Sequence, residues 1–440
     1  MVTLRLDCSW QRFGPVVLAG SPLRLFRTTA AGAEVLDRVE AGEDVPGSSL
    51  VDRLLDAGAV HPVIDPLSPP QRSAADVTVV TPQLRTDASS RCATDGRLTV
   101  DDGSTPPLPG AALRLATTRG PAAARNAGRS LIDTELIAFV DADVTVEDGW
   151  LDALLPHFDD PRVGLVAPRV AGEVGSPLDL GAEPARIRAG TRVSYVPGAA
   201  LVVRATAFDA VGGFDPTLRF GEDVDFVWRL DEAGWRCRYE PAATVWHEPR
   251  ASFAARLRQH ASYGTSAAPL ALRHPRALAP WRANGWTALV WAAAATGRVT
   301  VAATTAIGSA RALERKLPDV PRDASFRVAM RGHLLAGRQL ATAVRRAWWP
   351  IVALGALVSR RVRWIAAASL LLDVRAAPTD LAYGWGVWSG MRRHRTWAPI
   401  VPQLSAWPGR SAGETQPPAP RRSRRRPSPG LRRAPGGADR

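Results

Sequence analysis

Apolar and polar positions follow three successive rhythms along this chain. Near the N-terminus the runs at 15–20 and 22–29 read as two short strands around a turn at Gly20–Pro22. Val35, Leu36 and Val39, then Leu50, Leu54 and Leu55, recur at helical spacing and predict helices over Ala30–Glu40 and Ser49–Ala57. Strands with short helices at this length suit a small winged-helix-like module over residues 1–70, ending in the proline-rich stretch 65–70 as a linker. From Asp76 the rhythm changes. Short apolar or β-branched runs at 76–80, 97–100, 113–117 and 136–140 alternate with helical patterns at Pro121–Ser130 and Asp148–Phe158. Runs of this kind fit strands buried on both faces, so an α/β domain with an open, Rossmann-like, mostly parallel sheet is expected over 76–250. In such sheets ligands sit beyond the carboxyl ends of the strands, and the residues just after each run carry the interest. After residue 250 the pattern turns helical and rich in Ala and Trp. Its apolar stretches 285–310 and 347–374 are interrupted by Gly297 and Arg298, and by Arg360, Arg361 and Arg363. Neither leaves an uncharged span of about 18 residues, so buried or interfacial helices are expected over 251–410. Contact with a membrane surface is the alternative, because Trp and Arg flank the apolar runs.

Charge adds one distinction. The formal net charge is +14, and the segment 412–440 holds eight arginines against two acids; removing these leaves +8 on the rest. That Pro-, Ser- and Arg-rich tail is expected to be disordered. A basic chain suits nucleic acid, anionic membrane or phosphate-bearing substrates alike. The N-terminal module argues against nucleic acid, since Glu34, Asp37, Asp52 and Asp56 offset Arg38 and Arg53. Cys8, Cys92 and Cys237 are scattered and read as unpaired thiols of a reducing compartment. No charged start followed by a sustained apolar run marks residues 1–20, so a cytoplasmic protein is expected.

The chemistry lies at the strand ends. Asp141 and Asp143 directly follow the run 136–140, and two carboxylates one residue apart can hold a divalent cation that grips a diphosphate. An Asp-x-Asp after a strand is equally an ordinary solvated loop. Asp101 and Asp102 end another run; they can accept hydrogen bonds from a nucleobase or ribose, or simply build a turn at Gly103. Pro121 opens a helix that carries Arg125, suited to donor phosphates, and Asn126 beside it. Glu222 and Asp223 stand in a first helical turn, where acids favour the helix dipole and where one carboxylate could take a proton from an attacking hydroxyl. His247 can complete a metal shell or contact phosphate, or be merely structural.

In their order and spacing these pieces resemble family-2 glycosyltransferases of the GT-A fold, from about Asp76 to Arg250. The resemblance rests on "DDGS", "GPAAARNAG", "DAD", "PGAALVVRATAFDAVGGFD" and "FGEDVDFVWRL". It implies that Asp101 and Asp102 bind the nucleotide of a nucleotide-sugar donor, and that Arg125, Asn126 and Asp141 serve the donor. By the same token Asp141, Asp143 and His247 would hold Mg²⁺ or Mn²⁺, and Asp223 would be the catalytic base with Glu222 in support. The segment 197–204 would shape the acceptor side. An Asp base opposite a metal-bound leaving group favours direct displacement with inversion. One departure stands out: the crossover at 81–97 is short and lacks an amphipathic pattern, so no donor contact is assigned to Asp87.

Both flanks narrow the resemblance. The segment 256–275, "RLRQHASYGTSAAPLALRHP", and the N-terminal "AGSPLRLFRTTAAGAEVLDRV" and "LLDAGAVHP" are similar to the glycosyltransferases of the mycofactocin system. The N-terminal unit is also similar to modules that hold precursor peptides during modification. This implies transfer of glucose from UDP-glucose, repeatedly and with β-1,4 linkage, onto mycofactocin or its precursor. A family-2 enzyme with a lipid-linked or cell-wall acceptor at the inner membrane face is the main rival, and a nucleic-acid-binding winged-helix protein a remote one.

Overall fold

The computed structural model describes residues 1–64, 71–85, 96–172, 176, 178–248, 252–275 and 277–405. The linker at 65–70, most of the 81–97 crossover with Asp87 and Cys92, and the tail 412–440 lie outside the described residues. Cys8 is exposed and Cys237 buried, and both are free thiols.

The N-terminal unit builds from β1 (Leu4–Leu6), β2 (Gln11–Phe13), β3 (Val16–Ala19), β4 (Arg24–Arg27), α1 (Ala30–Glu40), α2 (Ser49–Asp56) and β5 (Val60–Pro62). β2, β3 and β4 form an antiparallel sheet, and β1 pairs with β5. Both helices start at side-chain caps: Thr29 accepts from the Gly32 amide and Ser48 from the Val51 amide. Such caps satisfy amides that a helix start leaves without partners. Val17, Phe26, Leu36, Val51 and Leu54 close a core of this unit's own.

The central sheet comprises β6 (Val77–Gln83), β7 (Leu98–Asp101), β8 (Leu113–Arg114), β9 (Leu136–Val140), β10 (Val144–Val146), β11 (Val163–Ala171), β12 (Ala185–Arg186), β13 (Ala200–Arg204) and β14 (Arg236–His247). Among them run α3 (Pro121–Arg129), α4 (Ala205–Ala210) and α5 (Glu222–Glu232). The order is β10-β14-β11-β13-β9-β6-β7-β8, with β12 beside β14. The α/β expectation holds, and the sheet is mixed. β6, β7, β8 and β9 are mutually parallel, as are β11 and β14, while β13 runs antiparallel between β9 and β11 and β10 antiparallel to β14. Every residue of β9 is buried, because both faces are covered. One face packs Phe139, Phe208, Phe214 and Phe226 under α3 and α5; the other packs Leu136, Leu154 and Phe158. The helix expected at Asp148–Phe158 is instead a series of turns ending in a short 3₁₀ helix, Leu155–Asp159. Gly149, at φ 76°, leaves the helical region at the start of this stretch, and Pro156, which lacks an amide hydrogen and crowds the preceding turn, disfavours a helix at its end.

The remainder is helical: α6 (Phe253–Gly264), α7 (Ala267–Arg273), α8 (Gly285–Ala295), α9 (Val299–Lys316), α10 (Arg322–Ala343), α11 (Trp349–Val358), α12 (Arg360–Leu371) and α13 (Ala377–His394). A ribbon of β15 (Arg282–Asn284) with β16 (Gln403–Ser405) ties its ends together. The two apolar stretches break where Gly297 takes a positive φ of 76° and at Ser359. Among the described residues no helix is long and apolar enough to cross a membrane. α13 lies on α6 at backbone distance: a Cβ on Gly386 would stand 1.9 Å from the Ala261 carbonyl oxygen, and one on Gly390 2.5 Å from that of Thr265. The N-terminal unit is fastened on two sides. Val16 and Leu18 pack against Val320 and Ala324 near the start of α10, and Arg236 of β14 reaches Asp56 at 2.7 Å and Asp52 at 3.3 Å.

Candidate active site

The carboxyl ends of β7 and β9 and the start of α5 converge on one open recess, and α3 supplies its buried centre. Gly120, at φ 92°, and Pro121 start α3 and drive Arg125 into the interior, where it is 1% exposed. Its Nη2 donates to Asp141 Oδ1 at 2.6 Å and to the Gly198 carbonyl at 3.1 Å; its Nη1 donates to Glu222 Oε1 at 3.2 Å. The guanidinium also lies 5.1 Å from the Phe214 ring centre. These acids hold the Arg125 charge firmly on, despite its burial. Arg125 therefore ties Asp141 at the end of β9 to the acid pair on α5. A role in touching donor phosphates directly does not follow from this placement.

Asp223 follows Glu222 in the first turn of α5. Gly221 precedes them at φ 77°, in the left-handed region that favours glycine, and a Cβ there would stand 2.9 Å from Ser266 Oγ. Asp223 accepts from the Gly198 amide at 2.8 Å through Oδ2 and from the Val224 amide at 2.8 Å through Oδ1, and it is only partly buried. Glu222 is buried. Burial, and then the charge of Asp223, push its carboxyl up to about 7, with Arg125 pulling the other way. Burial likewise raises Asp141, against the pull of Arg125. One glycine, Gly198, thus gives its amide to the candidate base and its carbonyl to the central arginine. Its place in the Pro197–Gly198 pair just before a fully buried strand was the available signal, and the sequence reading took it only as part of an acceptor-side segment.

Strand pairing carries the metal question. β10 and β14 align Val144 with His247, which brings His247 Nε2 to 3.5 Å from Asp143 Oδ2. Asp141 stands two residues away, half-buried, at the end of β9. Two carboxylates and an imidazole suit Mn²⁺ or Mg²⁺ as a donor set. Among the described residues no group of three or more such side chains is close enough to form a finished cage. A partial site that substrate oxygens complete is the arrangement expected where a cation and a diphosphate bind together.

The other expected donor residues are already engaged. Asp101, fully buried, accepts from the Ser104 amide at 2.8 Å and the Leu108 amide at 3.1 Å, with Arg114 at 3.2 Å. Asp102 accepts from the amides of Arg119 and Gly120, both at 2.8 Å, and so positions the start of α3. Both acids shape the loops of the recess, and their carboxylate oxygens retain further lone pairs. Asn126 clamps the backbone of Phe214 from both sides, donating to its carbonyl at 2.7 Å and accepting from its amide at 2.9 Å. With both ends of its amide on Phe214, Asn126 serves the wall of the site.

Known proteins bear on this geometry. The description "Glycosyl transferase family 2" matches residues 98–186, and "Glycosyltransferase like family 2" matches 181–263. The pre-mycofactocin glycosyltransferase of Mycobacterium tuberculosis is 38% identical over 456 aligned positions, which span 89% of this chain and 95% of that one. The N-acetylglucosaminyl-diphospho-decaprenol L-rhamnosyltransferase of the same organism is 31% identical over 28% of this chain and 50% of its own length. A solved mannosyltransferase from Pyrobaculum calidifontis, in complex with GDP-mannose and Mn²⁺, is 14% identical with a TM-score of 0.42, covering 75% of this chain and 88% of that one. At 89% of the chain, the first of these similarities reaches well beyond residues 98–263, which the two family-2 descriptions match. The chain therefore belongs to the pre-mycofactocin glycosyltransferases, within the family-2 glycosyltransferases of the GT-A fold.

Proposed function

We propose that this enzyme transfers glucose from UDP-glucose onto the mycofactocin precursor, repeatedly and with β-1,4 linkage, by a single inverting displacement. The observation that carries the mechanism is the hydrogen bond from the Gly198 amide to Asp223. It holds the carboxylate at the start of α5, where it stays partly exposed. Asp223 takes the proton of the acceptor hydroxyl as that oxygen attacks the anomeric carbon and the nucleoside diphosphate departs. Glu222 stays inside, paired with Arg125, and keeps the start of α5 in place. Asp143 and His247, with Asp141 alongside, would hold Mn²⁺ or Mg²⁺, whose charge neutralises the leaving diphosphate when bound. The small N-terminal unit is assigned to holding the acceptor.

The work site is assigned to the cytoplasm, with peripheral contact at the inner face of the membrane. The hairpin α11–α12 supports this. It leaves Leu354, Leu357, Val358, Trp364 and Leu371 in solvent, with Val358 at 89% exposure, and Arg360, Arg361 and Arg363 sit at its tip. An apolar face with Trp and Arg beside it suits seating on an anionic lipid surface.

Mass spectrometry of the purified chain with UDP-glucose, Mn²⁺ and the precursor tests the central reading. Successive hexose increments on the precursor are expected, lost in EDTA and restored by Mn²⁺ or Mg²⁺. Donor hydrolysis with no increment would move the acceptor to the lipid-linked class, and full rate in EDTA would remove the metal.

A further inference from the structure

Two N-terminal stretches, 19–39 and 54–62, have no part in the chemistry, yet both reach one segment of the central domain. That segment, 183–198, leads from β12 to Gly198. Ser21 Oγ accepts from the Arg192 amide at 2.7 Å. At Gly58, whose φ is 63°, a Cβ would stand 3.2 Å from Arg186 Cβ, so the turn after α2 lies against β12. Buried Asp7 accepts from Arg192 Nη2 at 3.2 Å through Oδ2, an oxygen it shares with His61 Nε2 at 3.0 Å. The Arg192 guanidinium also donates to the carbonyls of Pro184, at 2.6 Å, and Glu183, at 3.3 Å, and so closes the segment into a loop. Arg5 adds an exposed pair with Glu183 at 2.6 Å.

The segment is braced within itself and tied to α5, the helix that carries Asp223. Ile187 pairs with Val193 in a single bridge, and Thr191 Oγ1 spans the carbonyls of Arg188 and Val193 at 2.7 and 2.8 Å. Ser194 Oγ donates to the Thr191 carbonyl at 3.0 Å. From α5, Trp228 Nε1 donates to the Ser194 carbonyl at 2.7 Å. Arg186 Nη2 and Arg188 Nε take the two oxygens of Asp231, near the end of α5, at 2.7 and 3.0 Å. Arg186 Nη1 meanwhile donates to Asp56 at 3.2 Å, so one largely buried guanidinium joins the end of α2 to α5. The segment finishes at Gly198, whose amide holds Asp223 and whose carbonyl holds Arg125.

We propose that residues 183–198 are a strap through which the N-terminal unit positions Asp223, with Arg192 and Ser21 as its positioning residues. Among the described residues, Asp223 takes hydrogen bonds from two amides, Gly198 and its own neighbour Val224. The Gly198 amide is therefore what orients the carboxylate from outside α5, and a hydrogen bond weakens steeply once its donor turns away. A strap released at Arg192 lets Gly198 shift, and a small misplacement of a reacting group is costly in rate. The N-terminal unit thus acts on the base itself, in addition to holding the acceptor, and it does so even when water is the acceptor. The strap rests on the reading of Asp223 as the base.

Hydrogen exchange at the Gly198 amide and acceptor-free hydrolysis of UDP-glucose with Mn²⁺ are measured on the full chain and on Arg192→Gln, Arg192→Lys and Ser21→Ala. In Arg192→Gln the Gly198 amide is expected to exchange about tenfold faster. The kcat of hydrolysis is expected to fall about 10- to 100-fold with the KM for UDP-glucose unaltered. Arg192→Lys, whose charge still reaches Asp7, should recover part of both, and Ser21→Ala should show a smaller change of the same sense. Exchange at Gly198 that stays at the wild-type rate in Arg192→Gln sinks the strap alone. So does a raised acceptor KM with hydrolysis unaltered, which leaves the N-terminal unit to acceptor holding. An Asp223→Asn chain that hydrolyses UDP-glucose at the wild-type rate sinks the base reading and the strap's catalytic role with it.

Discussion

At the seam between the N-terminal unit and the sheet, basic and acidic groups are matched; at the strand ends of the recess they are not. In the seam Arg236 contacts Asp52, Asp56 and Asp160, and Arg238 also reaches Asp160 and the ring of His157, whose other nitrogen meets Glu240. Burial works against Asp160 and Glu240, but hydrogen bonds from Arg236 and His157 hold both carboxyls below their usual range. In the recess a single guanidinium, Arg125, faces Asp141, Glu222 and Asp223. Burial wins there, and the Asp141 and Glu222 carboxyls are pushed up. The same residue types are thus satisfied in one place and short of positive charge in the other. A network with a guanidinium for each carboxylate lowers its acids, whereas acids crowded around too little positive charge are raised.

The largest effect that would sharpen this contrast is catalytic. Asp223→Asn keeps the shape of the recess but removes the proton acceptor. Its kcat should fall by about 10²- to 10⁴-fold while its melting temperature barely moves; near-normal turnover would break the assignment. The next effect is one of stability. Arg236→Ala leaves three carboxylates at the seam without their common partner. Urea unfolding should register a loss of about 3–5 kcal/mol, as for other broken buried pairs. A loss below about 1 kcal/mol would mean that solvent already screens the seam. The smallest concerns pH. The folded chain keeps the Glu222 proton up to about pH 7, whereas the unfolded chain releases it near 4.5. This group's contribution to stability is therefore fully present below 4.5, falls as pH rises toward 7 and stays low above it. In metal-free solution Glu222→Gln should remove that slope, a change of at most about 3 kcal/mol between pH 4 and pH 8. An unaltered slope would place the titration on another group.

Much of this was legible in the sequence where the cause is local. The helical spacing of Val35, Leu36 and Val39 and of Leu50, Leu54 and Leu55 located α1 and α2, Pro121 marked the start of α3, and the strand at 136–140 was read to the residue. Asp143 and His247, expected to lie near one another, do meet, and their meeting depends on the alignment of Val144 with His247, a pairing that no local pattern encodes. The contacts of Arg125 and Asn126 were not legible for the same reason: their partners at Glu222, Gly198 and Phe214 lie 97, 73 and 88 residues away. The misread helix at 148–158 shows the opposite failing, in which periodicity was credited over a proline in plain view.

Gly198 has a consequence for anyone reshaping this enzyme. A Cβ there would stand 3.1 Å from Arg125 Nη2 and 3.3 Å from Asp223 Cβ, so even alanine would press Asp223 and Arg125 apart. Three residues upstream, Tyr195 is exposed. Tolerance to substitution therefore changes within this loop, between positions 195 and 198: the first carries an exposed side chain, and the second has no free room for a Cβ.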